Sequence, residues 1–332
     1  EGRGRQTWSV EQEFNSPFEY AARGKLANRR IDLSKERMGR IRARVVRDVK
    51  QAYNQVLFAK QKLSLMQELE SHFSRLKKSG DLKYETGDIS YLEKVSSQSK
   101  FKEIRLKKEQ ARMELNNRLN ELQEVVFADA PVEVKDSTLR PFDFSAENRE
   151  KSIPEGNPDL EVSESDLAAT KAQRKVVKSV SWPDPFVRFS KTDINGGEGF
   201  NAFEVGLKFP VDFWGERARN QSARIDFEIA REQHQAFKKS VETAFLNARN
   251  QLKNYQKQLQ FYRENRLKEA GLIAKNAQTQ YEAGNIDYLQ YVQYFDQSTR
   301  IRLNYLEVLR GYNEAVIEME YMLGESRADD LK

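Results

Sequence analysis

The sequence predicts a mainly α-helical fold with β segments, in which long antiparallel coiled-coil hairpins are written twice. Three observations carry this. The 332 residues are unusually polar, with 32% charged and 38% hydrophobic and a mean hydropathy of -0.81. Long helices with a narrow apolar seam need fewer apolar residues than a compact globule does. An internal repeat is visible: Tyr84-Glu85-Thr86-Gly87-Asp88-Ile89-Ser90-Tyr91-Leu92 returns as Tyr281-Glu282-Ala283-Gly284-Asn285-Ile286-Asp287-Tyr288-Leu289, an offset of 281 − 84 = 197. Upstream, Arg30-Ile31-Asp32 matches Arg224-Ile225-Asp226 at an offset of 194. Finally, apolar residues recur at alternating steps of four and three in both copies. They are Val45, Val49, Ala52, Val56, Ala59, Leu63 and Met66 in the first, and Val241, Phe245, Ala248, Leu252, Tyr255, Leu259 and Tyr262 in the second. That spacing is a coiled-coil seam.

Each seam lies on a helix free of proline for some 60 residues or more, roughly 90–100 Å at 1.5 Å per residue. A shorter helix follows each turn, with Leu92, Val95, Leu115, Leu119 and Leu122 as the apolar positions in the first. In the second they are Leu289, Val292, Leu303, Leu306, Val316 and Leu323. Gly87 and Gly284 suit the left-handed residue that ends a helix. Ser90 with Glu93, and Asp287 with Gln290, have the spacing of a capping box. The hairpins therefore run over 17–127, with a tip at 84–92, and over 213–324, with a tip at 281–289.

Between them the period changes to two. Phe203, Val205, Leu207, Phe209 and Val211 alternate with Glu204, Gly206, Lys208 and Pro210, which reads as a strand with one apolar face. A second strand over Phe186–Asp193 and the turn Asn195-Gly196-Gly197-Glu198-Gly199 complete a β-hairpin within 182–212. Trp8, Val10 and Phe14 alternate with polar residues in segment 1–16, as the return strand of an equivalent hairpin. An isolated hairpin is marginal in water. These strands therefore either cap a coiled coil as a small soluble sheet or enter a barrel with a lipid face and a lumen face. Residues 128–160 carry four prolines and read as an irregular connector. Asn157-Pro158 suits an N-cap and first helical position, and an upper helix occupies 161–181. A short tail, 325–332, ends the chain.

The charge balance, 56 basic against 51 acidic residues, gives no basic block for nucleic acid. The chain has no cysteine, so disulfides, thiolate metal sites, a cysteine nucleophile and lipid attached to cysteine are excluded within it. No run approaches the roughly 18 apolar residues of a membrane-spanning helix, and residues 1–6 contain no apolar signal core. His72 and His234 lack a second His at ligand spacing, and the five methionines form no soft-metal ladder. The glycines at 196, 197 and 199 lie between strands and lack a phosphate-binding lysine. Nothing pairs a nucleophile with a base. The sequence predicts neither an enzyme nor a cofactor.

The order of elements, with three motifs, resembles the TolC-like outer membrane factors. Phe200 to Pro210 is similar to that family's strand ending in Gly-x-x-x-Pro, and Tyr281 to Leu289 to its periplasmic tip. Ile301 to Glu307, Tyr312-Asn313 and Glu320 to Gly324 resemble the terminal helix of the branch serving heavy-metal pumps. The resemblance covers nearly the whole chain and implies a TolC-like α/β barrel. In it a homotrimer shares a twelve-stranded transmembrane barrel in the bacterial outer membrane and sends its helices into the periplasm. It implies a passive conduit meeting a periplasmic adaptor and an inner-membrane pump of the RND type, to which this branch is sometimes fused. Tyr84, Gly87, Asp88, Ser90, Glu93, Tyr281, Gly284, Asn285, Asp287 and Gln290 would then form the periplasmic tip and gate. Phe203, Val205, Leu207 and Phe209 would face outer-membrane lipid. Two departures stand out. Three of four strands are legible, so the chain is read as a piece of a longer protein. Gln290 and Gln293 stand where family members carry entrance acids, although Asp287, Asp296 and Glu93 lie nearby. A soluble periplasmic coiled-coil adaptor is the alternative, distinguished by one hairpin within a compact β domain instead of two.

Overall fold

The computed structural model describes residues 4–144, 156–194, 197–209 and 211–325. Its elements are β1 (Arg5–Glu13), α1 (Pro17–Glu85), α2 (Tyr91–Val125), α3 (Pro158–Ser179), β2 (Asp184–Ile194), β3 (Gly197–Lys208), α4 (Phe213–Phe261), a π-helical turn (Tyr262–Arg266), α5 (Leu267–Glu282) and α6 (Tyr288–Met322). They form two compact units, Glu1–Arg40 with Gly156–Glu242, and Ile41–Glu155 with Thr243–Lys332.

In the first unit the strands make an antiparallel sheet in the order β1-β2-β3. Register fixes two faces, because side chains alternate. Val10, Phe189 and Phe203 share one row, and Gln12, Val187 and Val205 the next, followed by Pro185 with Leu207. The opposite face is polar. Arg188 donates to Glu11 at 2.7 Å and to Glu204 at 2.9 Å, Lys208 pairs with Glu13, and the Thr7 and Thr192 hydroxyls meet at 3.1 Å. Gly206 is required here, since a Cβ would lie 2.5 Å from the Phe186 ring. Phe14 and Phe209 fall just outside the strands, shorter than alternation alone suggested. The predicted turn at 195–196 lies outside the described residues.

Ser16 caps α1 by accepting from the Glu19 amide at 3.2 Å, with Pro17 at the first helical position. Asp212 caps α4 in the same way, through the Gly215 amide at 3.0 Å. Asn157 caps α3 by accepting from Asp159 and Leu160. That helix starts at Pro158, three residues before the predicted boundary at 161. Leu26 and Leu33 of α1 pack on Val176, Ala172, Ala169 and Val162 of α3.

The second unit departs from a simple two-helix seam. Val56, Leu57, Phe58 and Ala59 are all buried, so α1 is covered on every side there. The reason is the connector: Leu139, Phe142 and Phe144 pack into the cluster that α1, α4 and α6 make. Two asparagines with no exposure, Asn54 and Asn313, hold it. Asn313 accepts from the Phe142 amide at 2.9 Å and donates to Asn54 Oδ1 at 3.0 Å and to the Arg140 carbonyl at 2.8 Å. Asn54 donates to the Arg310 carbonyl at 3.2 Å. Tyr53 donates to Asp136, a bond that pushes its hydroxyl up to about 12.

The repeat is closer than sequence spacing showed, and the irregularity nearest the tip has a structural cause. α2 and α6 each have 35 residues, and their starts differ by 288 − 91 = 197. The seams differ by 262 − 66 = 196, so the second copy holds one extra residue between Tyr262 and Tyr281. The π-helical turn falls at Tyr262–Arg266. A π-turn is how a helix absorbs a single inserted residue without rotating everything below it. Both copies also close alike. Gly324 has φ 73°, and Phe127, 197 residues earlier, has φ 52°. Each donates to the carbonyl three residues back, and the next amide to the carbonyl five back, the Schellman pattern. Phe127 does without glycine what Gly324 does with it, and stands 86% exposed.

Asn313→Ala strips partners from the Phe142 amide, the Arg140 carbonyl and Asn54 at once. We expect a loss of roughly 2–4 kcal/mol. Faster proteolysis across 128–144 and an earlier thermal transition by circular dichroism would register it, whereas unchanged cleavage would show that the connector is held elsewhere.

Candidate functional site: the two hairpin tips

Both tips are built from the same backbone chemistry. At the first, Gly87 takes φ 81°, its amide donates to the Tyr84 carbonyl at 3.1 Å, and the Asp88 amide to Lys83 at 2.8 Å. At the second, Gly284 takes φ 74°, its amide donates to Tyr281 at 3.1 Å, and the Asn285 amide to Gln280 at 2.9 Å. A side chain at this φ costs about 1–2 kcal/mol, which is why glycine occupies both places.

The caps that restart the chain differ. Asp287 accepts from the Gln290 amide at 2.7 Å, and its own amide donates to Gln290 Oε1 at 3.3 Å, a complete capping box. Ser90 accepts from the Glu93 amide at 3.1 Å, but Glu93 does not reciprocate. Burial, with the Glu93 carboxylate nearby, pushes the Tyr281 hydroxyl of the other tip up. The capping box expected of Ser90 and Glu93 is thus half formed.

A tyrosine pair meets at an angle at each tip. Ring centroids lie 5.9 Å apart for Tyr84 and Tyr91 and 6.2 Å for Tyr281 and Tyr288. Their surroundings are opposite. Tyr91 is 66% exposed and Tyr288 5%. Leu92 and Leu289, predicted as seam positions, are both exposed, because in the second tip the inward places go to Tyr288 and Tyr291.

Those rings meet the first hairpin. His72 Nε2 and the Tyr291 hydroxyl share a hydrogen bond, and the imidazole stacks on Phe295 at 4.4 Å. Phe73 meets Phe295 edge-on at 5.6 Å. Lys83 lies 5.3 Å over the Tyr281 ring. Around the rings, Lys100 pairs with Asp296 at 2.7 Å, and Arg302 clamps Glu68 through two bonds of 2.8 and 2.7 Å. Half-exposed ion pairs contribute at most about 1 kcal/mol each. Buried ring pairs add roughly 0.5–1.5 kcal/mol beyond their area, so the aromatic cluster holds the hairpins together. Burial pushes the Tyr288 and Tyr291 hydroxyls up. Tyr288 Oη is buried with no hydrogen-bond partner among the described residues.

The structure thus brings Tyr281 together with Glu93, and Asp287 with Gln290. It leaves Tyr84, Gly87, Asp88 and Asn285 on the exposed tip surface. Sequence reading missed His72, Lys100, Arg302 and Phe295. The one available signal was the Tyr281, Tyr288, Tyr291 spacing, which puts three rings on one side of the second hairpin. His234 meets the Ser163 hydroxyl at 2.9 Å, and among the described residues no group of three or more acidic or histidine side chains gathers as a metal site.

Two long hairpins with paired tips and a small antiparallel sheet define a protein of the TolC-like channel class. The sequence pattern of the outer membrane efflux protein family matches residues 151–325, and the chain belongs to that family. Comparison with curated protein sequences gives no match. Among solved structures the fold recurs in a membrane protein from Pseudomonas aeruginosa, with a TM-score of 0.79 and 16% identity, covering 97% of this chain and 85% of that one. It recurs in CusC, whose structures concern transmembrane channel formation, with a TM-score of 0.79 and 13% identity over 97% and 83%. The outer membrane protein VceC from Vibrio cholerae gives 0.77 and 9% over 97% and 87%. Among the described residues no helix is long and apolar enough to cross a membrane.

His72 makes the contact between hairpins sensitive to pH. Burial, with Arg75 on its own helix, holds its pKa below the ordinary value, and Glu68 opposes them. Tyr291 and Phe295 face it from α6. The packed ring is therefore neutral. As pH falls below about 6.5, the unfolded chain takes up the proton first and the contact loses stability until the packed ring protonates too. Thermal transitions between pH 7.5 and 5.5 should fall, and less steeply in His72→Phe. Equal slopes would remove His72 from the account.

Proposed function

We propose that three copies of this chain close into a passive conduit in the bacterial outer membrane. The tips are its periplasmic end, where a periplasmic adaptor and an RND-type inner-membrane pump for cations or drugs engage. The observation that carries this reading is the sheet. Val10, Phe189, Phe203, Val187, Val205 and Leu207 gather on one face while Glu11, Arg188, Glu204, Glu13 and Lys208 pair on the other, and its two outer strands, β1 and β3, have open edges. Exposed strand edges need partners, and a band of Phe203, Val205, Leu207 and Phe209 suits lipid, while Glu11, Arg188 and Glu204 suit a wet lumen. A conduit selects by width and lining charge and needs no reacting groups.

Light scattering in mild detergent should give three times the chain mass, and a monodisperse monomer would overturn the reading. Spin labels at 203, 205 and 207 should be accessible to oxygen, and labels at 204 and 208 to a water-soluble relaxant. The reverse pattern would take the strand out of a barrel. Gly87→Val and Gly284→Val strain the tips alone. We expect normal trimer levels in the membrane with lost efflux-dependent resistance. Full resistance in both variants would reduce the tips to connectors.

A further inference from the structure

Three lysines of the first unit share one groove with little to neutralise them. The groove, about 640 Å³, runs between α1 and α3, where Lys25, Asn28, Arg29 and Asp32 face Lys171 and Lys175. Arg29 pairs with Asp32 at 3.3 Å. Lys25, Lys171 and Lys175 have no ion-pair partner among the described residues. Other cations of α1 are engaged: Arg23 with Glu19 at 2.5 Å, Arg37 with Asp166 at 3.4 Å, and Arg30 with Gln173 at 3.2 Å. Ala172, buried against Leu26 and Val176, floors the groove, and so short a side chain leaves the space between the lysine stems open. Leu26 packs near Val176 and Leu33 near Val162, so the two helices run antiparallel. Side chains tilt toward the N-terminus of their own helix. Those of α1 therefore lean toward the sheet and those of α3 away from it, which brings Lys25 toward Lys175 and Arg29 toward Lys171.

Four cations against one carboxylate repel one another, and an anion between them reverses the sign of that energy. The place of the groove says which anion. The junctions of β1 with α1 and of α3 with β2 are tied together, the Ser16 amide donating to Asp184 at 2.8 Å and the Phe14 amide to the Pro185 carbonyl at 2.9 Å. Beside them Phe18 meets Trp182 at 4.4 Å, and Tyr20 and Trp214 are exposed. Tryptophan and tyrosine gather where hydrocarbon gives way to headgroups. Lys175 lies 179 − 175 = 4 residues before the end of α3, and Lys25 lies 25 − 17 = 8 residues after the start of α1. At 1.5 Å per residue these are about 6 and 12 Å from the junction. The headgroup layer on each side of a bilayer is roughly 5–8 Å deep, and lysine stems reach back across the difference. We propose that this groove holds the phosphate of an anionic phospholipid headgroup in the leaflet beside the helices. Ammonium and guanidinium groups are strong donors to phosphate oxygens, and the aromatic residues above receive the glycerol end. This rests on the outer-membrane reading.

The chain has no cysteine, so Asn28→Cys places a single environment-sensitive dye at the groove. The labelled full chain in mild detergent is titrated with dioctanoyl phosphatidylglycerol, dioctanoyl phosphatidylcholine and inorganic phosphate at matched concentrations. We expect a saturable response to phosphatidylglycerol alone. Each of Lys25→Gln, Lys171→Gln and Lys175→Gln should weaken it about fivefold, and Lys25→Arg, Lys171→Arg and Lys175→Arg together should keep it. The unlabelled chain gives the same comparison without a dye in the groove: phosphatidylglycerol should raise its thermal transition above the phosphatidylcholine value, and should not do so in the triple glutamine variant. Equal responses to the two lipids, or a phosphatidylglycerol response that survives the triple glutamine change, overturn the inference. A matching response to inorganic phosphate makes the groove a site for the free ion and overturns the lipid assignment. These measurements in detergent are independent of where the protein resides. Its recovery outside the outer-membrane fraction of cells overturns the outer-membrane reading instead.

Discussion

Every long helix in this chain carries too little apolar surface to be stable alone, and that constraint organises everything else. A seam of one residue in three or four buries a helix on one side only. Each hairpin therefore needs a second one, and the second needs a connector. The chain meets this requirement most fully around Val56–Ala59 and along α6, where burial runs almost around the helix. The material that completes it is irregular backbone. Irregular backbone brings unpaired amides and carbonyls into a dry place, and Asn313 satisfies two of them while binding a third group on α1. The polar node and the apolar cluster are one device: the cluster needs the connector, and the connector needs the asparagine.

Away from the connector the same requirement is met with rings. His72, Phe73, Tyr291 and Phe295 replace the aliphatic seam as the helices approach their tips, and the ion pairs around them fix alignment more than stability. The caps differ between the tips: Asp287 and Gln290 complete their box, while Glu93 leaves half of the box with Ser90 unmade.

Much of this was legible in the sequence, for reasons that can be named. The heptad spacing, the Gly87 and Gly284 turns and the alternation along Phe203 to Leu207 are local patterns, and local patterns dictate local structure. The Asn157 cap with Pro158 was legible in the same way, to the residue. What could not be read was each contact that depends on which hairpin lies beside which. Leu92 and Leu289 fit a seam by period and are exposed, because burial is decided by a neighbour. Asn313 stood out only as part of a motif and Asn54 not at all, since nothing in spacing marks a polar side chain for the interior. The roles of His72 and Lys100 are settled across almost 200 residues of sequence, beyond the reach of any periodicity.

The π-helical turn at Tyr262–Arg266 has a consequence for how such a chain diverges. In a paired coil a single added residue turns every position below it by about 100° and sets its apolar side against solvent. Here the addition is confined to five residues, and the tip beneath keeps its alignment with the first copy. The turn works as an expansion joint. Two halves descended from one ancestor can change length independently there and still interlock. The first copy carries its heptads through this stretch unbroken, and the second carries the join.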